Sequence, residues 1–122
     1  MTHGTVCRMA SVTCLCAAVG CGGNLCANAV TYRTTSPDAS REAVVFTRDC
    51  GATTDYSTQV ALVRAVAELP NRPGDVFVAP HATDVRVAWI GSDTLLVRHA
   101  TTNPNLEARQ VQGVTIRCAS LR

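Results

Sequence analysis

Seven cysteines and three histidines are the side chains of this 122-residue sequence best suited to chemistry, and the cysteines are unevenly spread. Cys7, Cys14, Cys16, Cys21 and Cys26 crowd the first quarter, while Cys50 and Cys118 stand alone. A metal site is the first use to consider for such a cluster. The spacing C-x6-C-x-C-x4-C-x4-C contains no CxxC pair, and the nearest histidine is His3, so zinc is not expected. A nucleophilic role would need Cys50 as thiolate, His81 or His99 as base, and an acid such as Asp84 to orient the base. Nothing in their spacing joins these residues. His81 follows Ala79-Pro80 in a loop, His99 ends a strand, and both read as exposed polar residues. Asp49 and Asp55 could form a carboxylate pair for glycoside chemistry, but a domain this small leaves little room for a sugar cleft, and a solvated loop is expected. The sequence contains no G-x-S-x-G, no H-E-x-x-H and no phosphate-cradling glycine loop. No catalytic residue, cofactor or metal is expected.

The densest polar stretch is RDCGATTDYSTQV, residues 48–60, directly after the apolar AVVF. Two uses suit it, and they are compatible. Asp49, Thr53, Thr54, Tyr56 and Gln59 would form a polar recognition patch on the surface. Alternatively the stretch is a hairpin corner, in which Gly51 permits a positive φ and the Thr, Ser and Asp side chains bond the loop backbone.

The elements that must position these residues read as strands. A chain of this length with 47% hydrophobic side chains holds one domain and one modest core. Eleven basic residues, all Arg, face nine acidic ones with no block of one sign longer than two, which argues against a nucleic-acid partner. Short apolar runs separated by turn signals about every ten residues predict an all-β fold. Ser36-Pro37-Asp38 is a turn; Glu42 to Arg48 and Gln59 to Arg64 are strands. Ala61 to Leu69 also suits a helical period, so a helical turn is expected after Arg64, ended by Pro70. Val76 to Ala79 is a short strand. Val85, Val87 and Trp89 alternate with Asp84, Arg86 and Ala88, and Gly91-Ser92-Asp93 turns this strand into Thr94 to His99 as a hairpin. Val114, Ile116 and Cys118 alternate to close the sheet. The expectation is a small antiparallel meander forming a sandwich or open barrel over residues 36–122.

The N-terminus reads as an export signal. The amine and Arg8 supply positive charge, Met9 to Val19 is moderately apolar, and small residues precede Cys21. That run is about half of the ~20 residues that span a bilayer, so it fits a signal segment over 1–20 better than a membrane helix. Ala18-Val19-Gly20-Cys21 resembles a bacterial lipobox, with Ala18 where Leu is usual. Such a cysteine is the lipid attachment point, each buried methylene contributing about 0.8 kcal/mol to membrane retention. A competing cut after Ala27-Asn28-Ala29 would release a soluble protein. Residues 21–35 are small and polar and read as a tether.

The succession of S-P-D, then A-V-V-F-x-R-D-C-G-A-T-T, S-T-Q-V, G-D-V-F-V-A, V-A-W and a final G-V-T-I is similar to a family of small bacterial lipoproteins of unknown function. The similarity runs from about Leu25 onward and departs at Ala39, where Gly is commoner, and in a shortened loop after Pro80. It implies a location and a fold and supplies no activity. Members tend to carry a cysteine shortly after the lipidated one, a place taken here by Cys26. The resemblance with an oxidising destination implies a Cys26–Cys50 disulfide and leaves Cys118 a free inward thiol. Cleavage after Ala29 would instead leave Cys50 only Cys118 to pair with. The expected protein is a lipid-anchored module facing outside the cytoplasm, non-enzymatic, binding or structural. Its partners would be the membrane, through the lipid, and an envelope protein or ligand. A small secreted inhibitor of a cell-wall hydrolase is the alternative.

Overall fold

The computed structural model describes residues 25–51 and 55–121. The expected signal segment 1–20, the lipidation candidate Cys21 and the patch residues Thr53 and Thr54 lie outside the described residues.

The described residues form an all-β sandwich. In one sheet β1 (Ala27–Thr35), β2 (Arg41–Asp49), β3 (Ser57–Arg64), β4 (Phe77–Pro80) and β7 (Leu106–Glu107) lie side by side in that order. The second sheet has the order β5 (Val85–Trp89), β6 (Thr94–His99), β9 (Val114–Ser120), β8 (Gln110–Val111). β2, β3 and β4 follow one another as the expected meander, β1 adds a strand at its edge, and β5–β6 is the expected hairpin. One pairing departs from an antiparallel plan: β6 and β9 run parallel, Thr94 opposite Thr115 and His99 opposite Ser120. A parallel pair needs a long connection. Residues 100–113 supply it, adding β7 to the edge of the first sheet and β8 to the second on the way.

Val45, Val60 and Phe77 of the first sheet meet Leu95, Val97 and Val114 of the second in the main core. β2 and β3 are continuous apolar runs because both of their faces are covered, as sequences of that kind require. Val44, Phe46, Ala61 and Val63 point away from the second sheet and are covered by Ala67 and Leu69. The chain returns close above β3: a Cβ on Gly74 would stand 2.5 Å from the Val60 carbonyl oxygen, so only glycine fits there.

Two expectations are corrected. The helical turn after Arg64 is a tight turn in which Ala67 N–H donates to the Arg64 carbonyl at 3.0 Å and Val66 adopts φ 58°. A left-handed β-branched residue ends any right-handed helix at once, and its cost is offset by seating Ala67 and Leu69 on the outer cluster of Val44, Phe46, Ala61 and Val63. The tether over 21–35 is a strand from Ala27 on, so the domain starts there and not at residue 36. Its ladder with β2 runs from Ala27–Asp49 to Thr35–Glu42, with a register shift between Val30 and Tyr32. The strand is exposed over most of its length, so no apolar alternation marks it in the sequence. Backbone pairing and a few side chains hold it: Arg33 bonds Glu42 and also donates to the Ala67 carbonyl at 3.1 Å.

Candidate functional site

The polar stretch after β2 is built around a covalent bond. β1 begins and β2 ends at the Ala27–Asp49 pair, so Cys26 and Cys50 flank the last rung of the ladder and join in a disulfide with Cα atoms 3.8 Å apart. Gly51 takes φ 118°, and its N–H donates to Asp49 Oδ1 at 3.1 Å. A polar network extends from the same corner. Arg48, only 8% exposed, donates to Asn28 Oδ1 at 2.7 Å and to Asn71 Oδ1 at 2.9 Å. Asn28 donates to the Pro70 and Arg72 carbonyls at 3.1 and 3.0 Å, and Asn71 donates to the Cys26 carbonyl at 2.9 Å. A buried guanidinium thus bonds two amide oxygens through Nη1, and it ties the start of β1 to the 70–72 loop.

Of the expected recognition patch, Asp49 and Tyr56 are exposed at this end of the first sheet. Gln59 is not on the surface. It is 5% exposed, its Oε1 accepts from Gly74 N–H at 2.7 Å, and its Nε2 donates to Ser57 Oγ at 2.7 Å. The reason is the double coverage of β3: the side that would be wet in a two-layer sheet lies here beneath the returning chain. Asp55, considered with Asp49 for glycoside chemistry, instead bonds His81 Nδ1 at 2.8 Å, both side chains being about two-thirds exposed. The His81 backbone is fixed as well, donating to the Tyr56 carbonyl at 3.0 Å and accepting from Thr58 Oγ1 at 2.9 Å.

The remaining chemistry gathers elsewhere. Glu107, Arg109, Thr115, Ile116 and Cys118 line a groove of about 420 Å³ beside β9. Cys118 is half-buried, and among the described cysteines it is the one outside the disulfide. Burial, and after it the charge and hydrogen bonding of Glu107, push its thiol up to about 11. His99, read from the sequence as exposed, is 8% exposed. Its Nδ1 lies 3.0 Å from the Thr101 carbonyl, which only accepts, so Nδ1 carries the hydrogen. Nε2 faces Glu107 Oε2 at 3.5 Å, and the ring lies against Phe77 with centroids 4.7 Å apart. The topology explains this meeting. The β6–β9 register puts Val97 beside Cys118 and His99 beside Ser120, while Phe77–Glu107 pairing brings β7 to the same place from the first sheet.

The set of thiol, imidazole and carboxylate has the residue types of a nucleophile with its base and acid. Its electrostatics run the other way. At neutral pH a thiol titrating near 11 is thiolate in about one molecule in ten thousand, and the carboxylate beside it favours the proton staying on sulfur. Cys50 offers no thiolate because it is bonded to Cys26. Asp84, the proposed orienting acid, pairs with Arg86 at 3.1 Å. Among the described residues no three His, Cys, Asp or Glu side chains converge as a metal cage. The sequence signals that could have found the groove are the alternation of Val114, Ile116 and Cys118 and the apolar neighbours of His99. Glu107 had no signal, since it stands in a polar connection. Compared with protein-family models, with curated proteins and with solved structures, the chain gives no match.

Proposed function

We propose that this chain is an exported, lipid-anchored module of the bacterial cell envelope that acts by binding or scaffolding and not by catalysis. The observation that best supports it is the Cys26–Cys50 disulfide. Structural disulfides persist in oxidising compartments and are rare in the cytosol. The same bond bears on where the export signal ends. Cutting after Ala29 would remove Cys26 and Asn28, leaving Cys50 without its partner and Arg48 without one of its two acceptors. Cutting before Cys21 keeps both, which favours Ala18-Val19-Gly20-Cys21 as the processing site and Cys21 as the lipidated residue. The described cysteines support a non-catalytic role, Cys26 and Cys50 being closed in a disulfide and Cys118 held protonated. Exposed Asp49 and Tyr56 beside the disulfide are the contact residues we propose for a partner or ligand in the envelope.

The test is mass analysis of the chain recovered from membranes of an expressing bacterium. The expected result is an N-terminal Cys21 carrying acyl chains together with a Cys26–Cys50 cystine peptide. A mature protein beginning at Val30 would replace the anchored form by a soluble one. Intact chain from the cytosol with every thiol free would overturn export itself.

A further inference from the structure

The outer face of the second sheet carries a charge pattern that neither the disulfide corner nor the groove involves. Alternation along the strands turns Val87, Leu95, Val97 and Ile116 into the core. It leaves Arg86, Ala88, Leu96, Arg98, Arg117 and Ala119 on the far side. Register sets these six in two rows, Ala88, Leu96 and Arg117 in one and Arg86, Arg98 and Ala119 in the next. Arg86 and Arg98 are directly opposite, with Cβ atoms about 5 Å apart, and Arg117 is diagonal to Arg98 at about 7 Å.

Like charges opposite one another weaken a sheet, so folding does not account for the arrangement. Asp84 at the rim pairs with Arg86 at 3.1 Å. Among the described residues Arg98 and Arg117 have neither a carboxylate nor a side-chain hydrogen bond. Leu96, although turned away from the core, is half-buried amid them, as expected where long arginine stems lie over an apolar neighbour. The whole chain has a formal net charge of +2, and on this face Arg98 and Arg117 are left without a carboxylate once Asp84 has paired with Arg86, which gives the face a positive field.

We infer that this face docks flat on an anionic lipid bilayer, its guanidiniums gripping headgroup phosphates. The guanidinium fork matches phosphate oxygens in pairs. The array is two-dimensional, three strands wide, with nothing larger than Leu between the charges to hold the sheet off a plane. A linear polyanion calls for a basic stripe instead. The inference deepens the membrane-anchored proposal and rests on it for the kind of surface met. Its test uses chain that cannot be lipidated, so failure of the anchor and failure of this face are read separately.

Full-length chain carrying Cys21→Ser is floated with vesicles of phosphatidylglycerol mixed into phosphatidylcholine, and with phosphatidylcholine alone. The expected result is binding to the anionic vesicles at low salt, release at high salt, and no binding to the neutral ones. Removing each arginine charge lowers partitioning about fivefold, so R98E/R117E should lose at least about 25-fold. R64E, on the first sheet, should bind as the parent does. Retention of the Cys26–Cys50 cystine peptide in each variant checks folding. Equal binding to both vesicle types, undiminished binding by R98E/R117E or an equal loss in R64E would overturn the inference. So would capture by soluble dextran sulfate without binding to any vesicle.

Discussion

The corner at Cys26–Cys50 and the groove at Cys118 hold the same functional group in opposite situations. β1 starts at the corner, is exposed along most of its length and buries little apolar surface, so it depends on a covalent bond and on Arg48, Asn28 and Asn71. β9 buries Val114 and Ile116 in the core and needs no staple. There the thiol remains free, and burial, with Glu107 beside it, keeps it protonated. Among the described residues, cysteine chemistry follows how much each strand can bury.

The sharpest way to break that contrast is to remove the staple. The disulfide closes a loop with a sequence separation of 24, which on a chain-entropy estimate contributes about 3.5 kcal/mol. Cys50→Ser should therefore lower the free energy of unfolding by about that amount in urea titrations. Amide exchange should accelerate first along β1. An unchanged midpoint would mean that β1 is held by its ladder alone. A smaller loss, about 2 kcal/mol, is expected from Arg48→Met, because Asn28 and Asn71 then lose a charged donor at a buried site. If that variant is as stable as its parent, the polar network is incidental to the corner.

Much of the second sheet was legible in the sequence because its strands are half-buried. Val85 to Trp89 alternate as they do only when one face is wet, and Gly91 at φ 84° completes the turn that Gly91-Ser92-Asp93 announces. β1 was hidden for the converse reason: Ala27 to Thr35 has two wet faces and no periodicity to read. Gln59 was misplaced because the chain returning through Gly74, with Ala67 and Leu69 packed on the same outer cluster, covers the side of β3 that a two-layer sandwich would expose. Glu107 and the Cys118 groove depend on a parallel pairing whose long connection carries no local signal. The Cys26–Cys50 bond was anticipated through family resemblance, and the ladder supplies its physical reason, since the two cysteines flank one rung.

The groove can be sharpened by making its thiol behave more like a free one. Glu107 acts on Cys118 through charge and through a hydrogen bond, both of which hold the proton on sulfur. Glu107→Gln removes the charge, so alkylation of Cys118 by iodoacetamide in the native protein should speed up, about three- to fourfold for each pKa unit regained, the larger thiolate fraction being partly offset by lower nucleophilicity. Unaltered kinetics would leave burial as the whole cause.

The smallest expected effect is on stability at high pH. The folded thiol titrates near 11 against an ordinary 9.0. Below 9 folded and unfolded chains both keep the proton, and the contribution of Cys118 is fully present. As pH rises from 9 through 11 the unfolded chain releases its proton first, so stability falls across that window and no further above it. The side chain is only half-buried, and solvent screening keeps the drop small. Urea midpoints of the parent and of Cys118→Ala, compared across the window, isolate this from Tyr32 and Tyr56, which both proteins share. The parent should lose stability more steeply; parallel curves would mean that the groove does not hold the proton on sulfur, and the contrast with the corner would reduce to Cys50 having a partner in reach and Cys118 having none among the described residues.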